Sequence, residues 1–195
     1  MEHPTTAELE AGLDEVRNSP ADNGTLDLIV RRPDVDEREV LQVGELSIEE
    51  GLVGDNWIRK LSGRTDDGSP HPRMQLTIMN SRVLALVCPD PDRRSLAGDQ
   101  LVVDMDLTEA NLPAWARLAI GSAVIEVTDQ PHTGCRKFSR RFGGDALRLI
   151  NSDVGGDLNL RGINARVVQP GTITGGGPGP KGLSRQPTIA GTVAT

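Results

Sequence analysis

Six short runs of aliphatic and β-branched residues follow one another through the middle of this chain, each cut off by Gly, Pro or Asp. They are TLDLIVRRP (25–33), EREVLQVGELSI (37–48), MQLTIMN (74–80), QLVVDMDL (100–107), ARLAIGSAVIEVTD (116–129) and INARVVQPGTI (163–173). Apolar residues alternate with polar ones inside the runs, which is the period of a strand with one face buried. A succession of short strands with frequent turn signals predicts a barrel or sandwich, mostly β. Aromatic residues make up only 2% of the 195 positions, so aliphatic side chains must build the core. The length suits one main domain.

Helical signals are few. TTAELEAGLDEVRNS (5–19) opens with Thr5 or Thr6 placed to cap and carries acidic residues in its first turn. Asn80 or Ser81 can cap SRVLALVC (81–88) ahead of Pro89, and GDALRLINS (144–152) has an acidic first turn with Asn151 near its end. These signals divide the chain into an N-terminal helical extension over 1–23, a main domain over 24–176 and a flexible Gly/Pro-rich tail over 177–195. The connection from Gly54 to Met74 is long for a compact domain and holds Trp57, His71 and Arg73, so it reads as a solvated loop or a rim over a site.

The formal charge of −7 argues against a dedicated nucleic-acid binder, whose contacting face needs an excess of Lys and Arg. No run approaches the length of a membrane span, and the first twenty residues lack the charged start and apolar centre of a secretory signal, so a cytoplasmic protein is expected. Two cysteines are too few for a disulfide framework. Cys88 ends an apolar run and reads as a small core residue. A closed zinc site is unattractive with three His and two Cys at unsuitable spacing. TGGGPGPKG lacks the strand and the Ser or Thr of a phosphate loop, and Ser122 lacks the Gly-x-Ser-x-Gly setting of an activated serine.

Chemistry concentrates in PHTGCRKFSRRFG (131–143). Cys135 stands between the end of a β-type run and a helical turn, with Arg136, Lys137, Arg140 and Arg141 just after it. Backbone N–H groups and nearby cations favour a thiolate there, so Cys135 is expected to be reactive or to ligate a soft metal, unless it is simply a free thiol beside solvated charges. His132 can change charge near neutrality and is a candidate proton donor or ligand.

GLVGDNW (51–57), RMQLTIMNSRVLAL (73–86), LAGDQLVV (96–103), LAIGSAVIEVTDQPHTGCRKF (118–138) and INARVVQPGTITGG (163–176) together resemble the MOSC domain, the C-terminal domain of molybdenum cofactor sulfurases, in its stand-alone form. The strongest element is the strand pair that leads into a single cysteine with a Lys two positions on, here Cys135 and Lys137. The chain differs from stand-alone members in having Gly98-Asp99-Gln100 for Gly-Glu-Asn, Gly134 for a Pro before the cysteine, and NWIRKLSG where a His-Gly-Gly motif follows Gly-Asp.

The resemblance implies a β-barrel-like fold with a few peripheral helices and a molybdopterin-type molybdenum cofactor ligated by Cys135. It implies cofactor contacts from Arg73, Gln100, Thr133, Gly134, Arg136 and Lys137, with His132 or Asp99 supplying protons. The implied activity is reduction of N-hydroxylated small molecules, with electrons from a partner protein. A sulfur or cofactor carrier supplied by a sulfur-donor protein, with Cys135 accepting a persulfide, remains the alternative, as does a shell that has lost its chemistry.

Overall fold

The structure, a computed structural model, describes residues 3–176 and 183–186. In chain order its strands are β1 (Thr25–Arg31), β2 (Glu39–Leu41), β3 (Val43–Ser47), β4 (Gly51–Leu52), β5 (Leu76–Asn80), β6 (Leu101–Asp104), β7 (Arg117–Ile120), β8 (Ala123–Val127), β9 (Ile163–Gln169), β10 (Gly171–Thr174) and β11 (Ser184–Gln186). Its α-helices are α1 (Thr6–Ala11), α2 (Leu13–Arg17), α3 (Ser81–Val87), α4 (Arg136–Phe142), α5 (Gly144–Ile150) and α6 (Asp153–Asp157). Eight strands form one sheet in the order β11-β7-β8-β9-β5-β6-β1-β2, and β10-β3-β4 form a second. The large sheet curls into a half-barrel, so the mostly β architecture expected from the six runs is the one observed.

Strand alternation sorts the aliphatic residues into two cores. Ile78, Leu101 and Val103 face one way and pack with Leu46 and Leu52 of the small sheet and Ile173 of β10. Met79 and Val102, one residue out of phase, face the other way and pack under the helices with Val83, Leu84 and Phe142. β5 and β6 are parallel and joined through α3, while the other pairings are antiparallel. Asn80 caps α3 by accepting from the backbone N–H groups of Arg82 and Val83. The β7–β8 hairpin turns at Gly121, where φ is +58° and a Cβ would lie 2.3 Å from the Thr172 carbonyl oxygen, so no side chain fits.

Two boundaries differ from the sequence reading. The N-terminal helices are part of the second core: Leu9, Leu13 and Val16 are buried in it, and Thr6 donates to Asp145 at the start of α5 through its backbone N–H and its hydroxyl, both at 2.9 Å. Thr5 is the capping residue, in a reciprocal box with Glu8. Within the stretch read as a flexible tail, Leu183 is buried in the first core and Ser184–Gln186 adds a strand beside β7, because the edge of β7 offers unpaired backbone groups. The remainder of that stretch lies outside the described residues. Truncating Leu9 to Ala should lower unfolding stability by about 2–5 kcal/mol in urea titration; a loss well below ~1 kcal/mol would mean that the N-terminal helices are peripheral.

Candidate functional site

Helix α4 sorts the residues after Cys135 by helical periodicity. Phe138 and Phe142, the only two phenylalanines of the chain, point into the second core with ring centroids 4.8 Å apart. Lys137 and Arg141, also one turn apart, form a neighbouring stripe that faces a pocket. Arg136 and Arg140 are exposed. Cys135 precedes the helix with extended backbone (φ −124°, ψ 173°), its side chain makes no capping bond, and its thiol is free and exposed.

The segment that carries the cysteine is fixed from behind. Asn151, just past α5, accepts from the Gly134 N–H at 2.9 Å and donates to the Gly134 carbonyl oxygen at 3.3 Å. A Cβ on Gly134 would sit 2.6 Å from Ile150 Cδ1 and 2.7 Å from Leu147 Cδ1, so the backbone here packs closely on the side chains of α5.

The Cys135 pocket, about 280 Å³, is lined by six cationic side chains: Arg32, Arg38, Lys60, Lys137, Arg141 and Arg161. Asp34 and Asp36 lie on its rim, and Asn56 and Phe138 complete its walls. Two of the cations are neutralised from below. Arg32 donates to Asp55 from Nε (2.8 Å), Nη2 (2.7 Å) and its backbone N–H (3.0 Å), and to the Gly98 carbonyl oxygen from Nη1 (3.0 Å). Arg161 donates from Nη1 to both oxygens of Asp99 at 2.8 Å and lies 5.1 Å over the Phe138 ring. Asp55 and Asp99 are almost fully buried. Burial pushes the Asp55 carboxyl up, but the hydrogen bonds and charge of Arg32 outweigh it and hold it below the usual range.

The other four cations are less completely paired. Asp36 is shared by Lys137 (3.4 Å) and Arg141 (2.9 Å), while Arg38 and Lys60 make no ion pair among the described residues. Burial first, then repulsion from Arg141 and Arg32, lowers the Arg38 pKa. Lys60 keeps much of its surface in solvent, yet partial burial brings its pKa down to about 8, with Arg32, Arg38 and Lys137 adding repulsion and Asp55 opposing. Gly98 is the meeting point of this cluster. Its φ of +83° suits glycine, and a Cβ there would lie 3.2 Å from Arg38 Nη2 and 3.8 Å from Arg141 Nη1.

Three of the pocket's side chains also hold polar atoms that are shielded and unpartnered, namely Arg38 Nε, Asn56 Oδ1 and Arg161 Nε. Natively folded chains leave few such atoms, so their concentration here marks a place not optimised for folding alone.

The expected site residues divide. Cys135 and Lys137 come together in the pocket; Arg136 is exposed outside it. Thr133 and Gly134 line an adjoining cleft with His132, Asn151 and Ser152, which meets the Cys135 pocket at Arg161. Arg73 is turned elsewhere, paired with Asp129 at 2.8 Å and lying 5.8 Å over the Trp115 ring. Gln100 is fully buried and serves as an internal strut, accepting from the Thr77 N–H (2.9 Å) and hydroxyl (2.6 Å) and donating to the Gln75 carbonyl oxygen (3.0 Å). Neither group is free to reach a ligand in the pocket. Asp99 is the buried partner of Arg161. His132 lies 3.7 Å from Asp99, and burial followed by the charge of Arg161 drives its pKa down to about 4, so it is neutral at pH 7 rather than an imidazolium proton donor. Cys88 is buried as expected and donates to the Asp90 carbonyl oxygen at 3.2 Å.

Among the described residues no group of three or more His, Cys, Asp and Glu is arranged to hold a metal ion, and no helix is long and apolar enough to cross a membrane. No protein-family model and no curated protein sequence matches the chain. Solved structures do. The chain is similar to the YuaD protein from Bacillus subtilis (17% identity, 78% of this chain and 92% of that one, TM-score 0.56). It is also similar to YiiM from Geobacillus stearothermophilus (15%, 86% and 77%, TM-score 0.56) and to YiiM from Escherichia coli (20%, 85% and 71%, TM-score 0.52). At this identity the likeness establishes the fold, and it supports the MOSC resemblance at that level.

The native state keeps His132 neutral, whereas the unfolded chain protonates it near its ordinary value of 6.5. The unfolded state therefore binds more protons between pH 6.5 and 4, and stability should fall across that window by on the order of 3 kcal/mol. Urea midpoints measured at pH 7 and 4.5 should show the loss, and His132→Gln should flatten it. Lys60 generates a second expectation: affinity for sulfate, a dianion throughout, should drop several-fold between pH 7 and 9 as the ammonium deprotonates. Lys60→Arg should abolish that drop in calorimetric titrations.

Proposed function

We propose that the Cys135 pocket binds an anionic, molybdopterin-type molybdenum cofactor and that the protein reduces N-hydroxylated compounds. The observation that carries this reading is the placement of one exposed, unbonded thiol on the wall of a pocket lined by six cations, in a chain whose overall charge is −7. Cofactors of this class combine a soft metal with a phosphate-bearing pterin, and the pocket offers a matching pair of chemistries: sulfur for the metal, guanidinium and ammonium groups for the phosphate.

In this reading Cys135 is the metal ligand, and the Asn151 clamp on Gly134 sets the position of its sulfur. Arg38, Lys60, Lys137 and Arg141 hold the anionic part, while Arg32 and Arg161, already neutralised by Asp55 and Asp99, shape the floor. When bound, the cofactor supplies a two-electron redox centre. Reduction of an N–OH group to N–H consumes two electrons and two protons and releases water. The electrons come from a partner protein. Lys60, with its pKa near 8, has a proton to give close to neutral pH, a role that His132 does not fill. The exposure of the Cys135 thiol also favours a second reading, in which it accepts sulfur as a persulfide and passes it on.

Elemental analysis of protein purified from a host that makes the cofactor separates the readings. Near-stoichiometric molybdenum in the wild type, reduced at least tenfold by Cys135→Ser, is the expected result. Molybdenum absent from both, with a persulfide on Cys135 by mass spectrometry, would replace reduction with sulfur transfer.

A further inference from the structure

We infer that Asp36 sets what the pocket accepts: its carboxylate sits on Lys137 and Arg141 as an internal anion, and a ligand group must carry two negative charges, as a phosphate monoester does, to displace it. The inference rests on reading the pocket as an anion site and adds the selectivity of that site.

The chain brings Asp36 to the rim by a short excursion after β1. Asp34 organises the turn, accepting from the Val35 N–H at 2.6 Å through its carboxylate and from the Glu37 N–H at 3.2 Å through its carbonyl oxygen. Asp36 itself has φ +62°, a conformation that Asp and Asn tolerate better than other side chains. Its two cation partners lie 101 and 105 residues away, on the pocket-facing stripe of α4. Residues 34–37 are all exposed, and the Asp36 side chain is 62% exposed, so its ion pairs can open without uncovering any core. Arg59 ties the base of the loop through the Pro33 carbonyl oxygen, and from 34 to 37 the loop meets α4 through the Asp36 carboxylate, which sits on the cations where a ligand anion would.

That arrangement discriminates by charge. A carboxylate tethered beside its cations competes at an effective concentration of at least ~1 mM. A monoanion that displaces it exchanges one negative charge for another and leaves the pocket's electrostatics unchanged. A dianion brings one further charge next to Arg38 and Lys60, which have no ion-pair partner among the described residues. Only the second exchange relieves the repulsion among the clustered cations. The same logic gives the released loop a role as a cover whose opening accompanies ligand entry.

Sulfate and methanesulfonate test this, since both present a tetrahedral oxyanion and differ by one charge. Full-length protein made in a host that lacks the cofactor would be titrated with each by calorimetry, beside Asp36→Asn, which keeps the backbone preference and removes the charge. The wild type should bind sulfate at least tenfold more tightly than methanesulfonate. Asp36→Asn should bind methanesulfonate at least tenfold more tightly than the wild type does and narrow the ratio. Sulfate binding with an unchanged ratio in Asp36→Asn, or a weakening of both ligands, would assign Asp36 to positioning Lys137 and Arg141 and overturn the inference while leaving the anion site standing. Failure of both proteins to bind either probe would overturn the anion site and this inference together. Thermal melting of the variant guards against a folding defect.

Discussion

The buried ion pair of Arg32 with Asp55 holds the site together. Asp55 is fully enclosed, and each of its oxygens is occupied: both accept from Arg32, and Oδ1 also accepts from the Trp57 N–H to cap the turn that follows. Arg32 then reaches the carbonyl of Gly98. One guanidinium thus joins the end of β1, the connection after β4 and the turn that leads into β6. A buried pair of this kind adds little net stability over an apolar replacement, yet losing one partner costs about 3–5 kcal/mol because the other is left charged and unpaired. Its contribution is to register: three segments of the chain are tied together beside one pocket.

Electrostatics then decide what the pocket is for. A chain with a net charge of −7 has no general reason to bring six cations together, and burial first, then their mutual repulsion, lowers the pKa values of Arg38 and Lys60. Two buried carboxylates offset part of that repulsion from below the floor, and Asp36 offsets part from the rim. A concave, partly shielded surface of one sign focuses field on whatever enters, so the acidic exterior repels anions in general while the pocket attracts those that find it.

Much of the scaffold was legible because its signals are local. Alternation located every strand of more than four residues, and capping chemistry announced α1 and α3, with Thr5 rather than Thr6 and Asn80 rather than Ser81 as the caps. β4 and β11 escaped because strands of two and three residues are decided by the edges they meet rather than by their own pattern. The thiol was legible, but its cationic partners were only half so. Sequence adjacency favoured Arg136 beside Lys137, whereas helical periodicity, with Phe138 and Phe142 seated in the core, presents Lys137 with Arg141. Arg32, Arg38, Lys60 and Arg161 carry no local signature, since they reach the pocket from three separate connections, Arg32 and Arg38 from the one between β1 and β2. Gln100 and Arg73 show the converse: residues placed by resemblance whose hydrogen bonds turn out to be committed to a strand and to Asp129.

The distribution of unpartnered polar atoms gives an independent argument for where function lies. Of six such atoms among the described residues, three belong to the lining of the Cys135 pocket, and a fourth, His132 Nδ1, belongs to the cleft that adjoins it. Each costs about 1–3 kcal/mol relative to a satisfied group. The remaining two belong to His71 and to Asn164, buried in β9, whereas other buried polar residues such as Gln75, Asn80 and Gln100 are tied to backbone groups. Folding alone would remove the defects at 38 and 56, where aliphatic or shorter side chains would eliminate the unpaired atoms and, at 38, ease the repulsion; Arg161 is retained by its pairing with buried Asp99. Around this one thiol the chain concedes stability that folding alone would not require, and the charges gathered there are predominantly positive.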